Sequence, residues 1–341
     1  MKVLTFVVPA YNSENYLEKC ISSMLLKEVL SEIEIIVVND GSTDKTAVIA
    51  ERYCAQYPET IRLISQENRG HGGALNTGCA AARGKYLKVV DADDWIRSEN
   101  LQDFIMLLKL CNSDVVLTHH HTIDISNGEV RNWKSYPPEF GKAYTFDEIM
   151  VDWNSYNRSL TLHGITYRRD FYREFGKPLS EHVFYEDYEY ATFPCCLAKT
   201  ITPFDLFLYE YRIGDVNQSV SSANQLKRIG HTEIVLRNMT EKYHHLSEFA
   251  GARYAAMKIQ ELLLSYFTTV LLVEPDKRKG RVQASRIMND FRTRCPEVHS
   301  LARRKYQILL LMNRLHISKQ AWSRFLASRI YIMLTPKRSF N

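Results

Sequence analysis

Cysteine is sparse and without pattern. The seven in this 341-residue chain include no C-x-x-C pair, which excludes a disulfide framework and a structural zinc site and suits a reducing, cytoplasmic setting. Long apolar runs are missing as well. No stretch approaches the roughly 18 residues of a membrane span; the longest lie near 266–273 and 308–312, so the chain is not expected to cross a membrane. The opening run, Met1 to Pro9, is too short for a signal peptide and has the pattern of a first strand. That strand is followed by Pro9-Ala10-Tyr11-Asn12, not by the Gly-x-Gly-x-x-Gly turn that lets a backbone approach a dinucleotide, which disfavours a nicotinamide-binding domain. Acidic residues disappear after Glu297 while Arg303, Arg304, Arg314, Arg324, Arg329 and Arg338 accumulate, so the net charge of +5 conceals a strongly basic C-terminal third. An anionic partner is expected for it.

What the chain does contain is alternation. Apolar, β-rich runs at 4–8, 33–38, 61–65, 86–90 and 114–118 are separated by helix-period segments at 15–26, 43–56, 74–83 and 101–110. The expected fold class is therefore α/β: a mostly parallel sheet flanked by helices on both faces. A less regular half follows, with a helix at 185–197 and a strand at 207–212, and from 224 onward four to six helices form an appendage. The boundaries expected are a catalytic domain at 1–222 and a basic helical region at 223–341.

The chemistry sits where these strands end, which is where open α/β sheets bind ligands. The fourth strand runs into Asp91-Ala92-Asp93-Asp94. Crowded carboxylates repel one another, and a divalent cation with oxygen ligands, Mg2+ or Mn2+, relieves that repulsion; capping of the next helix is the competing role. At the first strand end, Pro9 stiffens the turn and Tyr11 offers a ring to a planar base, or else fills a core. At the second, Asp40 can accept from an imide N–H while Ser42 or Thr43 caps a helix. The glycine-rich stretch Asn68-Arg69-Gly70-His71-Gly72-Gly73 brings a helix amino end toward anionic ligand atoms, or else serves close helix-on-sheet packing.

In order and position, Val8-Pro9-Ala10-Tyr11-Asn12, Asn39-Asp40-Gly41-Ser42-Thr43-Asp44, Asn68-Arg69-Gly70 with Asn76-Thr77-Gly78, and Asp91-Ala92-Asp93-Asp94 resemble the family 2 glycosyltransferases of GT-A fold. The likeness extends over roughly residues 3–222. It implies inverting transfer of a sugar from a nucleoside-diphosphate donor, with Pro9, Tyr11 and Asp40 on the nucleoside and Glu14, Asn68, Gly70, His71, Asn76 and Ala92 elsewhere along the donor. Asp91 is then turned to the ribose or the metal, and Asp93 is a direct ligand of Mn2+ or Mg2+. Tyr185-Glu186-Asp187-Tyr188 resembles the family's Glu-Asp motif, which makes Asp187 the base and puts Glu186 near the acceptor; two acids complementing a helix start are the local alternative. Arg212 and Ser219 resemble the segment that closes over the donor phosphates, and His163 is a candidate sugar contact or a core histidine. Many members carry Arg where this chain has Leu75, so part of the diphosphate contact is expected from His71 or Arg69. The triplet His119-His120-His121 is expected at a strand edge or loop on the acceptor side.

Trp322, Phe325, Leu326, Ile330, Tyr331 and Met333 alternate with basic residues, the composition of a cationic interfacial helix. Together these features imply a UDP-sugar donor, a saccharide or lipid-linked saccharide acceptor for cell-surface polysaccharide, and peripheral attachment to an anionic membrane at its cytoplasmic face. A homo-oligomer is compatible with this, and no nucleic-acid module is present. The rival readings are a non-catalytic scaffolding member and a sugar nucleotidyltransferase. The latter lacks its Gly-rich basic loop after the first strand.

Overall fold

The computed structural model describes residues 2–215, 222–246 and 251–321. Ser219 and the aromatic, basic segment 322–341 lie outside the described residues. The first four strands, β1 (Leu4–Ala10), β2 (Ile33–Asp40), β3 (Ile61–Gln66) and β4 (Tyr86–Val89), pair in parallel in the order β3-β2-β1-β4. Every residue of β1, β2 and β4 is buried, which is why they are near-continuous apolar runs without alternation. Helices α1 (Leu17–Met24), α2 (Thr46–Gln56) and α3 (Gly70–Ala81) make the crossovers, and α4 (Leu101–Leu110) follows the short β5 (Trp95–Ile96). The expected glycine-rich helix thus begins four residues early, with the glycines inside its first turn.

Beyond β4 the sheet turns mixed. Strands β6 (Val115–Asp124), β7 (Val130–Trp133), β8 (Ile165–Arg168) and β9 (Ile201–Ile213) extend it as β4-β8-β6-β9-β5, with β7 paired to β6. β8 runs antiparallel to β4 and β6, whereas β9 runs parallel to β6. The intervening helices are α5 (Phe146–Val151), α6 (Trp153–Tyr156), α7 (Arg169–Phe175) and α8 (Asp187–Leu197). The histidine triplet corrects the expectation of an edge or loop. His119, His120 and His121 lie inside β6, between two neighbouring strands, and all three are buried. The pairing with β9 is irregular at 117–120, and apolar periodicity misses the strand's second half because its buried residues include three imidazoles.

A charged side chain sits in the middle of this sheet. Lys88 on β4 is fully buried, and its ammonium donates to the carbonyls of His163 at 2.7 Å and Ile165 at 3.2 Å. Burial lowers its pKa from 10.5 to about 7. Below pH 7 the lysine is charged in both folded and unfolded chains. Between about 7 and 10.5 the unfolded chain still binds a proton that the folded one has released, so stability rises with pH by up to about 1.4 kcal/mol per unit. Lys88→Met removes that contribution. Melting curves of both proteins across this window should show a slope for wild type that the variant lacks; parallel slopes refute the assignment.

The described residues form two compact units, one through Asp215 and one holding the C-terminal helices. In the second, α9 (Ser222–Lys227), α10 (Ile229–His244), α11 (Ala252–Thr268), α12 (Lys277–Arg294) and α13 (Pro296–Arg314) are the helices among the described residues, within the expected number. One finding corrects the sequence reading. The helical stretch Ala252–Val273 is long and apolar enough by length and composition to span a membrane, though 61% of its apolar window is buried inside the unit. Tyr254, Ile259, Leu263 and Phe267 are buried in it, the pattern of a core helix; Arg253, Lys258 and Glu261 interrupt the apolar run and hide its length. Arg278, Arg292, Arg303 and Arg304 stay exposed on α12 and α13.

Candidate active site

The chain leaves β4 through Val90, whose amide bonds to Val7 in β1, and turns at residues 91–94 before β5 pairs with β9. This brings β9 alongside the acids. The Asp91 amide donates to the Tyr209 hydroxyl at 3.1 Å, that hydroxyl donates to Asp94 at 2.6 Å, and the Arg212 amide donates to the other Asp94 oxygen at 2.8 Å. Asp94 is buried, and burial followed by the charges of Asp93 and Asp91 holds its carboxyl well above the usual carboxylate range. One ligand atom each from Asp91, Asp94 and His163 lie within 4.8 Å of one another. His163 is in the turn just ahead of β8, not on a strand. Burial pulls its imidazole down to about 4 against Asp91, with Lys88 adding to the effect, so at neutral pH it is an uncharged donor. Two crowded carboxylates and a neutral imidazole fit a divalent cation. Asp93, expected as a direct ligand, lies beside this trio, with its side chain 37% exposed and the Arg212 guanidinium 3.9 Å away.

Asp187 is the first residue of α8, and its charge reaches the same place. Burial raises the pKa of the Tyr211 hydroxyl, and Asp94, Asp91, Asp187 and Asp93 each add to the rise. Tyr211 also stacks on His163 at 4.1 Å. The residue before Asp187, Glu186, is 2% exposed, and its carboxylate lies 2.5 Å from His71 Nδ1. The other ring nitrogen, Nε2, lies 2.9 Å from Asp91. Burial opposes a charge on this ring, but the Asp91 charge and hydrogen bond, joined by Glu186, hold its pKa well above the histidine range. His71 is therefore an imidazolium donating to two carboxylates. Arg69, the other residue expected to replace the missing arginine, forks onto Glu181 at 2.9 and 2.5 Å, and Leu75 itself faces the core. A second cation beside the acids is Arg212, which lies over the Tyr16 ring and bonds to Asp215 at 3.2 Å.

At the far end of the strand tips, Tyr11 is 53% exposed while Pro9 is buried beneath it. Asp40 is almost fully buried, with one oxygen accepting from Gln66 at 2.7 Å and from the Arg69 amide at 2.9 Å. Several expected contacts act as braces. Glu14 accepts from the Lys45 amide at 3.0 Å, Asn68 donates to the Asp40 carbonyl at 3.0 Å and receives the Gly70 amide at 3.3 Å, and Ala92 is packed in the core. Asn76 is bonded to both the amide and the carbonyl of Leu179. Sequence reasoning does not single out Tyr209 and Tyr211. Their alternation with Leu208 and Glu210 marks a strand, but nothing local marks the acids they face.

Residues 5–176 match the model of Glycosyl transferase family 2. The chain is 48% identical over 100 residues to the uncharacterized glycosyltransferase EpsJ of Bacillus subtilis, covering 29% of this chain and 28% of that protein. It is 34% identical over 146 residues to chondroitin synthase of Escherichia coli, covering 40% and 20%. It thus spans under half the length of the curated relatives it matches. Among solved structures, S. aureus TarS 1-349 in complex with UDP superimposes with a TM-score of 0.62 at 22% identity, covering 99% of this chain and 93% of that one. This is a likeness of fold, a mixed sheet with flanking helices.

Proposed function

This chain belongs to glycosyl transferase family 2, and from that premise we propose that it transfers a sugar from a nucleoside diphosphate, preferentially UDP, to a saccharide hydroxyl with inversion at the anomeric carbon. The observation that carries the reading is the bridge from the acid loop to the start of α8: His71 lies 2.9 Å from Asp91 and 2.5 Å from Glu186, the residue before Asp187. Asp187 takes the proton of the acceptor hydroxyl as its oxygen bonds to the anomeric carbon, and the bond from that carbon to the diphosphate oxygen breaks with its electron pair. Tyr11 stacks on the base and Asp40 sits at its edge, where a carboxylate accepts the imide N–H that uracil carries and that cytosine and adenine lack. The UDP complex of TarS supports the same choice of nucleotide. Arg212, poised by Asp93, meets the negative charge of the departing diphosphate. Asp91, Asp94 and His163 would hold Mn2+ or Mg2+, which when bound neutralises charge on that leaving group.

Thermal denaturation with UDP-, GDP- and dTDP-sugars, each with and without Mn2+, tests the reading. A ligand at 100 times its Kd adds about 2.7 kcal/mol, a rise of roughly 5–10 °C for a unit of this size. The largest shift is expected for a UDP-sugar with Mn2+. Shifts below about 1 °C for every nucleotide sugar would refute it.

A further inference from the structure

The base and the acid loop come from separate parts of the chain, and among the described residues no strand pairing joins the two directly. Asp91 follows β4, whereas Asp187 opens α8 after a long loop. The start of α3 lies between them. Its Arg69 holds Glu181, the Arg69 carbonyl accepts from the His182 amide at 2.8 Å, and Asn76 holds Leu179. A Cβ on Gly72 would meet the Ser180 carbonyl oxygen at 2.2 Å and Glu186 Cγ at 2.9 Å, so only glycine lets the loop lie this close. At the inner end of that contact one imidazole spans Asp91 at 2.9 Å and Glu186 at 2.5 Å.

Resting on the glycosyltransferase reading above, we infer that His71 is a positioning residue: its ring clamps the loop carrying Asp187 to the loop carrying Asp91, and so sets where the proton acceptor stands relative to the donor diphosphate. The glycine-rich segment is the cradle of this clamp. Gly78 has the different task of packing, since a Cβ there would meet Val7 Cγ1 at 2.3 Å. The geometry also separates this role from a direct diphosphate contact, because both ring nitrogens are engaged by carboxylates. No step of the transfer passes through His71. What it supplies is alignment, and misplacement by about 1 Å costs on the order of 100-fold in rate.

The experiment is steady-state kinetics of the full chain with a UDP-sugar that wild type turns over, alongside His71→Gln and Glu186→Gln, with melting temperatures of all three. In the first variant the introduced side chain has one amide nitrogen and reaches one carboxylate, and Glu186→Gln weakens the other arm while leaving the bond to Asp91. Both variants are expected to lose about 100-fold in kcat with donor KM changed less than about threefold. Imidazole added to His71→Gly restores part of that rate. Wild-type kcat in both variants overturns the clamp, as does a rise in donor KM at unchanged kcat, which marks a donor contact. Loss of kcat only in step with loss of the folded population also overturns it. A wild-type chain that turns over no nucleotide sugar overturns the underlying reading, and the clamp with it.

Discussion

Asp187→Asn is expected to bind the donor as wild type does and to transfer its sugar about 1000-fold more slowly. The amide keeps the size of the carboxylate but cannot take the acceptor's proton, and a positioned base contributes about 100- to 10,000-fold. As the first residue of α8, Asp187 also complements the helix amino end, a term of about 0.3–1 kcal/mol. The two roles separate cleanly. Initial rates with a UDP-sugar, measured beside melting temperatures, should show a large fall in kcat with a change of at most a few degrees in Tm. The opposite pattern, a lowered Tm with kcat intact, would make this carboxylate a helix cap and end its assignment as the base.

Chelation should silence the wild-type chain, and Asp91→Asn should do nearly the same in saturating Mn2+, each lowering kcat/KM by about 100- to 1000-fold. The reason lies in the crowding of residues 91–94. Burial and two neighbouring charges push Asp94 well above its usual range, a cost that a cation held by Asp91, Asp94 and His163 would relieve. The asparagine still offers an oxygen to His71, so the clamp keeps an acceptor while the centre loses a charge. Rates measured with EDTA, then with Mn2+ restored, decide the matter. Turnover that is indifferent to EDTA, together with an Asp91→Asn variant as fast as wild type, would dismiss the metal centre.

Among the named motifs, those resting on local order are legible in the sequence. The acids after β4 can be placed because a run of buried residues ending in carboxylates marks a strand tip, and Asp187 because its neighbours set it at the mouth of a helix. Further assignments needed the fold. Glu14 and Asn76 carry side chains suited to a ligand, yet they brace the Lys45 amide and the Leu179 backbone. The second half of β6 is hidden from apolar patterning because its buried side chains include three histidines.

The order of strands and helices, the strand tips as the seat of chemistry and the basic C-terminal third all follow from residues near one another in the chain, through apolar period and charge. That His71 bridges Asp91 and Glu186, that one ligand atom each from Asp91, Asp94 and His163 gather within 4.8 Å of one another, and that Gly72 is bare so that a distant loop can settle on it were decided only by tertiary packing. Such contacts join residues far apart in the chain, and their energies depend on burial and distance, which no run of letters carries.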